Sequence, residues 1–142
     1  MDTSILVAVI TTSGSIILAS LSFYLTKRHQ IKTEWQKEKI NHYKVLISSL
    51  SDLATDGKDK DDANMRFALA SNTIALVAPQ SVITALMDFH DKVKYSNSNR
   101  TIEEHDILLK KLLIEIRKDI DLTKKDKEDT FVFHLIGSAP IK

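Results

Sequence analysis

Arg100 and His105 are the side chains whose types and spacing best suit chemistry in this sequence. A guanidinium can stabilise negative charge that develops in a reaction, and an imidazole can donate or accept a proton near neutral pH. The two residues lie at the predicted start of a helix, in an R-x4-H arrangement. They are therefore a candidate catalytic pair. The structural alternative is that Arg100 is a solvated loop residue and His105 a surface or partly buried imidazole.

Other chemistries have no motif here. The sequence contains no Walker loop, dinucleotide fingerprint, HExxH or nucleophile elbow. It contains no cysteine, which excludes disulfides, thiolate metal sites and cysteine nucleophiles. The remaining histidines are scattered, so we expect no metal site and no cofactor: His29, His42, His90 and His134. The 20 basic and 19 acidic side chains lack the excess positive charge of a dedicated nucleic-acid-binding protein.

The elements that position these residues are predicted to be helices. Only 3 glycines and 2 prolines occur among 142 residues, which favours helices over a turn-rich β architecture. We predict an all-α protein in which one N-terminal transmembrane helix continues into a cytosolic helical bundle. The predicted division is a transmembrane helix at 1–26 and a helical domain at 27–142.

The predicted membrane span runs from Ile5 to Leu25 without a charged residue. These residues form a helix of roughly 31 Å, which matches the hydrocarbon core of a bilayer. No Lys or Arg precedes the span, unlike in a cleaved signal peptide, so we expect the anchor to be retained. The basic residues that follow it predict a single-pass protein of the inner (plasma) membrane with its N-terminus outside and its C-terminal domain in the cytoplasm.

A stripe of small and hydroxyl-bearing side chains follows one side of the predicted span. At helical spacing these residues share one face: Ala8, Thr12, Ser15, Ala19, Ser22 and Thr26. Small residues let membrane helices approach closely and hydroxyls bond between them, so the stripe is a candidate contact between copies and a candidate pore lining. The alternative is that each hydroxyl bonds back to the carbonyl four residues earlier and has no further role.

Four helices are predicted in all. Because no Gly or Pro lies between Gly14 and Gly57, the first helix is expected to run for about 50 residues and to be followed by a charged, exposed linker at 56–62. A second helix is predicted at 63–78, a third at 79–95, and a fourth after a capping box of Thr101 and Glu104. The predicted inward residues are Ile31, Trp35, Val45, Leu46, Leu50 and Leu53 in the first, Met65, Leu69, Leu76 and alanines in the second, Val82, Ile83, Leu86, Phe89 and Val93 in the third, and Ile102, Leu109, Leu112, Leu113, Ile116 and Ile120 in the fourth. The segment 131–137 is open between a strand, a short helix and an arm onto a neighbouring subunit.

The R-x4-H spacing of Arg100 and His105 resembles the signature of the HEPN ribonucleases, although Thr101 stands where that family commonly has Asn or His. The order of a single span, a helical stalk and a helical domain with IEIRKDIDL at 114–122 is similar to small bacterial membrane proteins of antiviral defence. The nearest in kind are the pore-forming, HEPN-like accessory proteins of RNA-targeting CRISPR systems. The resemblance implies the roles that these residues have in HEPN ribonucleases. Arg100 would stabilise charge on the scissile phosphate, and His105 would transfer a proton.

Three functions follow as hypotheses. The leading one is a homo-oligomeric protein that permeabilises the lipid bilayer, with a CRISPR effector as a candidate partner. The second is a tethered ribonuclease that acts on RNA through Arg100 and His105 across a dimer. The third is an effector gated by a cyclic nucleotide second messenger, which would bind at Arg66, Lys92, Lys94 or Arg100.

Overall fold

The computed structural model describes residues 2–55, 57, 59–93, 98, 101–122 and 127–135. These residues form four helices and no strand, which confirms the all-α prediction. The helices are α1 (Thr3–Ala54), α2 (Lys60–Ile74), α3 (Gln80–Val93) and α4 (Ile102–Asp119). By packing, the chain divides into two units, Met1–Glu38 and Lys39–Lys142. This division by packing does not test the predicted membrane boundary at residue 26, which stays a prediction.

Helix α1 is 52 residues long, in agreement with the predicted helix of about 50. It ends at Ala54, and three residues later Gly57 has a positive φ of 80°, a conformation that glycine takes without strain. The Lys60 ammonium donates hydrogen bonds to the carbonyl oxygens of Leu53 and Thr55, both at 2.7 Å. A cation thus satisfies carbonyl groups at the C-terminal end of the helix, where the helix dipole is negative.

Helix α2 begins three residues earlier than predicted. The carboxylate of Asp59 accepts hydrogen bonds from the backbone N–H groups of Asp61 and Asp62, at 3.0 and 3.3 Å. Aspartate is among the best N-cap residues, and it moves the last three residues of the predicted linker into the helix. The linker at 56–62 was therefore predicted too long.

The inward face predicted for α2 is wrong for its large residues and right for two of its alanines. Met65, Leu69 and Leu76 are exposed, at 66%, 67% and 83% of their surface. The buried residues of this helix are Ala63, Phe67, Ala70 and Ile74, so the prediction missed Phe67 and Ile74. The helix has apolar residues on two sides, and the side with Phe67 and Ile74 packs on the core, where the small alanines let the helix lie close to its neighbours.

Helices α3 and α4 follow the sequence prediction most closely. Thr101 is extended and its hydroxyl accepts from the Glu104 backbone N–H at 3.2 Å, which confirms the predicted cap. At the other end of α4, Asp121 has a φ of 62° and the Leu122 N–H donates to the Arg117 carbonyl at 2.9 Å. This pattern is a Schellman motif, which satisfies carbonyl groups that the helix leaves without partners.

The core lies in the second unit. Its fully buried large side chains come from all four helices: Leu46, Ile74, Val82, Leu86, Phe89, Leu109 and Leu112. The predicted Leu50 and Ile116 are also buried, and Leu53, Ile83, Val93, Leu113 and Ile120 are partly buried. Four predicted inward residues are exposed because no described element covers their side of the helix: Ile31, Trp35, Val45 and Ile102.

The chain returns to the core at 131–135, which we call the covering segment and which is neither strand nor helix. Phe133 and Leu135 pack against the core, and the Phe131 ring lies 5.5 Å from the guanidinium carbon of Arg117. This segment therefore covers part of its own domain. Residues 136 and 137 lie outside the described residues.

Candidate functional site

The first candidate site is the stripe on the N-terminal unit, which we call the small stripe: Ala8, Thr12, Ser15, Ala19, Ser22 and Thr26. All six residues are helical and exposed. They follow one another at intervals of 4, 3, 4, 3 and 4 residues. This is the 3.5-residue repeat of helices that pack along a common seam with a left-handed supercoil.

The hydroxyls of the small stripe are of two kinds. Thr12 donates to the carbonyl oxygen of Ala8 at 2.7 Å, and Ser15 donates to that of Thr11 at 2.8 Å. These two hydroxyls are thus satisfied within their own helix. Among the described residues, the hydroxyls of Ser22 and Thr26 make no hydrogen bond. The alternative, in which each hydroxyl bonds to the carbonyl four residues earlier, therefore holds for Thr12 and Ser15 and not for Ser22 and Thr26.

The opposite side of the same helix carries large apolar side chains. Leu6, Ile10, Ile17 and Leu21 are between 42% and 66% exposed. No side chain between residues 2 and 38 is buried. Within the described chain, α1 is the one helix whose length and hydropathy would allow it to cross a membrane. Its N-terminal part therefore presents a large apolar side and a small, hydroxyl-bearing side.

The second candidate site surrounds His105, in the first turns of α4. Its Nδ1 lies 3.1 Å from one carboxylate oxygen of Asp106, and Nδ1 of His134 lies 2.5 Å from the other. Hydrogen bonds from His105 and then His134 hold the pKa of Asp106 below its ordinary value of 3.8. The His105 ring also contacts Phe89 edge to face, with ring centroids 5.2 Å apart. One carboxylate therefore orients two imidazoles, one on α4 and one in the covering segment.

Arg100 and Lys94 lie outside the described residues, so the pairing of Arg100 with His105 stays a prediction. His105 itself is partly buried, with 33% of its side chain exposed. This exposure leaves part of the imidazole accessible. The Asp106 neighbour could have been noticed in the sequence, whereas His134, which is 28 residues further along the chain than Asp106, could not.

Two clefts meet at His105. The larger, which we call the α2 cleft, has a volume of about 1020 Å³. The smaller has a volume of about 680 Å³ and includes the N-terminus of α4. Both are lined by Ala54, Val93 and His105. Sequence reasoning did not single out the polar residues of the α2 cleft, although Asn64, Ser71 and Asn72 share a face of α2 by their spacing.

The cations considered for a nucleotide ligand do not come together. Arg66 forms ion pairs with Asp52 and Asp62, each at 2.9 Å, and lines a groove between α1 and α2. Lys92 pairs with Glu104 at 3.3 Å and lines the smaller cleft at His105. Each cation thus has a carboxylate beside it, and the two line different clefts.

No group of three or more His, Asp or Glu side chains is placed to hold a metal ion in the described part of the chain. In comparisons with known proteins, no family model, no curated protein and no solved structure matches this chain. The geometry of the described side chains is therefore the basis for the proposals below.

Proposed function

We propose that this protein is a homo-oligomeric, single-pass membrane protein whose assembled N-terminal helices permeabilise the bilayer. The observation that carries the proposal is the division of the N-terminal part of α1 between a small, hydroxyl-bearing side and a large apolar side, both exposed in the described structure. Lipid is a suitable environment for the large apolar side. A second copy of the helix, or water in a pore between copies, suits the small side.

The spacing of the small stripe supports contact between copies along its whole length. A repeat of 3.5 residues keeps the same side of two helices facing each other when they supercoil. Small side chains lower the distance between the helix axes, and dispersion contacts then replace the hydrophobic effect, which does not favour association within lipid. The stripe thus supplies both the register and the close approach that a membrane helix assembly needs.

The two kinds of hydroxyl support a specific arrangement. Thr12 and Ser15 are satisfied within their own helix, so lipid can surround them at low cost. Ser22 and Thr26 have no such bond, and a hydrogen bond to a neighbouring helix would remove the cost of leaving them unpaired. We therefore place the strongest contacts between copies in the C-terminal half of the span.

The proposed orientation follows from the charges after the span. Lys27, Arg28 and Lys32 come within eight residues of Leu25. Basic residues are retained on the cytoplasmic side of inner membranes. The unit from Lys39 onward would then be cytoplasmic, where it could respond to a partner. In the antiviral setting that the resemblance implies, a CRISPR effector is the candidate partner.

The first test is the mass of the purified full chain in detergent. We expect a mass of several copies per particle after subtraction of the detergent. The double variant Ser22→Leu/Thr26→Leu should dissociate, because large side chains keep the helices apart. The control Ile17→Leu, on the large apolar side, should keep the wild-type mass. A monomeric wild type would overturn the proposal.

The second test separates a pore from a simple assembly. Dye release from vesicles that contain the full chain is measured for wild type, Ser15→Leu/Ser22→Leu and Ile17→Leu. We expect release from wild type and from Ile17→Leu, and none from the double variant. Equal release from all three would contradict a pore lined by the small stripe.

A tethered ribonuclease is the second candidate function, and it is favoured by the contact between His105 and Asp106. A carboxylate that accepts from one imidazole nitrogen fixes the tautomer and orients the other nitrogen for proton transfer. The test is cleavage of a labelled RNA by the purified full chain. Arg100→Ala/His105→Ala should abolish it, while the control His90→Ala should not. Undiminished cleavage by the double variant, or none by wild type, would reject this function.

A further inference from the structure

The α2 cleft has no role in the proposed membrane function. Its walls come from the end of α1, from α2, α3 and α4, and from Leu135 in the covering segment. A volume of about 1020 Å³ is at the upper end of the range of small-molecule sites. Apolar walls with a few polar groups are also the usual composition of such sites.

Two imidazole rings line this cleft, and each rests on a phenylalanine. His90 is stacked on Phe67 with 20° between the ring planes, and His105 meets Phe89 edge to face. The ring centroids are 6.4 Å apart in the first pair and 5.2 Å apart in the second, so each imidazole has an aromatic neighbour. Ordered aromatic surfaces of this kind favour a flat ligand, because stacking then requires little loss of side-chain freedom.

Two carboxamides on α2 offer hydrogen bonds to such a ligand. Asn64 and Asn72 are two helical turns apart, about 12 Å along the axis, and both line the cleft. Neither carboxamide has a hydrogen-bond partner among the described residues. The Ser71 hydroxyl between them is also unpaired, and its oxygen is buried. An asparagine side chain can donate and accept at once, which matches the edge of a purine base.

The charges of the cleft disfavour an anionic ligand. Its one described lysine is Lys60, whose ammonium already donates to two carbonyl groups at the end of α1. In the adjoining smaller cleft, Lys92 is accompanied by the carboxylate of Glu104. A phosphate group would therefore meet no excess of positive charge.

From these contacts we propose that the α2 cleft binds a neutral, planar heteroaromatic molecule of the purine nucleoside class. The base stacks against the imidazole surfaces, and Asn64 and Asn72 form hydrogen bonds to the ligand. The proposal does not rest on membrane permeabilisation, since binding is measured without any membrane readout.

The test is isothermal titration of the purified full chain in detergent with adenosine, guanosine, inosine and adenosine monophosphate. We expect saturable binding of at least one nucleoside. Asn64→Ala and Asn72→Ala should each weaken it about tenfold, as the loss of one or two hydrogen bonds predicts. The control Met65→Ala changes an exposed α2 residue that does not line the cleft, and it should bind as wild type does.

A second variant tests occupancy of the cleft rather than hydrogen bonding. Ala68 is exposed and lines the cleft, and Ala68→Leu keeps a good helix former while filling the space. We expect it to abolish binding with an unchanged helical circular dichroism spectrum. The proposal is overturned if none of the three nucleosides binds, if the monophosphate alone binds, or if Ala68→Leu and both asparagine variants bind as wild type does.

Discussion

Both packing units of this chain are helical, but they differ in how many of their side chains are buried. Between residues 2 and 38 the helix has no buried side chain, whereas from Lys39 onward four helices enclose a core. Helix α1 runs from Thr3 to Ala54 and contributes residues to both units. Local propensity therefore decides where the helix runs, and the surroundings decide which of its side chains are covered. In the first unit no described side chain is buried.

The largest expected effect comes from removing one phenylalanine ring from each unit in turn. The quantity compared is the free energy of unfolding of the second unit. Phe89 is 1% exposed and Phe23 is 72% exposed. Phe89→Ala removes a ring from the core and should cost about 3–5 kcal/mol. Phe23→Ala removes the same ring from the uncovered helix and should leave this free energy within about 0.5 kcal/mol. Denaturant unfolding of the full chain in detergent, followed by circular dichroism, measures both, and similar losses would break the distinction between the units.

Tyrosines provide a second matched pair. Tyr43 is buried and donates to Asp119 at 2.5 Å, while Tyr24 is 59% exposed. Tyr43→Phe should cost about 1.5–3 kcal/mol, because it removes the hydroxyl that donates to the charged carboxylate of Asp119. The other oxygen of Asp119 keeps its ion pair with Lys39 at 3.0 Å. Tyr24→Phe is the control and should be neutral in the same unfolding measurement.

The same tyrosine predicts an alkaline limit of stability. Burial, and then the bond to Asp119, raise the pKa of the Tyr43 phenol above its ordinary value of 10.0. The folded state therefore holds this proton more tightly than the unfolded state. The resulting stabilisation is complete below pH 10 and is lost as the pH rises above it. Between pH 10 and pH 11 the free energy of unfolding of Tyr43→Phe should fall less than that of wild type. An equal fall in both would contradict the assignment of this pH dependence to the Tyr43 phenol.

Much of the fold could be predicted from the sequence because its signals are local. The absence of Gly and Pro after Gly14 predicted the long α1, and Thr101 predicted the start of α4. The inward face of α2 could not be predicted in the same way. This helix has apolar residues on two sides, and the choice between Leu69 and Phe67 depends on which side the other helices meet.

The candidate sites also differ in whether local spacing or long-range contacts define them. The small stripe follows from helical spacing alone, and so its residues were found in the sequence. The α2 cleft and the sharing of Asp106 between two histidines depend on contacts between elements that are far apart in the chain. His105 was singled out as a partner for Arg100, but its described contacts are with Phe89 and Asp106.

The predicted cap of α4 gives a smaller effect that compares two threonines of the second unit. Thr101→Ala removes the acceptor for the Glu104 N–H and should cost about 1 kcal/mol. Thr73 lies within α2 and bonds back to the Leu69 carbonyl at 2.7 Å. Thr73→Ala should be neutral within about 0.5 kcal/mol, since alanine is the better helix former. Equal costs in denaturant unfolding would show that position in the helix does not matter here.

The smallest expected effect concerns the contact between α4 and the covering segment. Because the pKa of Asp106 is lowered, its contribution to stability is present above the ordinary value of 3.8 and is lost as the pH falls below it. Asp106→Asn should therefore show a flatter loss of stability between pH 4 and pH 2 than wild type. His134→Ala should be intermediate, because the hydrogen bond from His105, the larger cause of the shift, remains. An acid profile of Asp106→Asn that matches wild type would show that the Asp106 carboxylate does not hold the covering segment, which would then be joined to the core by Phe133, Leu135 and the contact of Phe131 with Arg117.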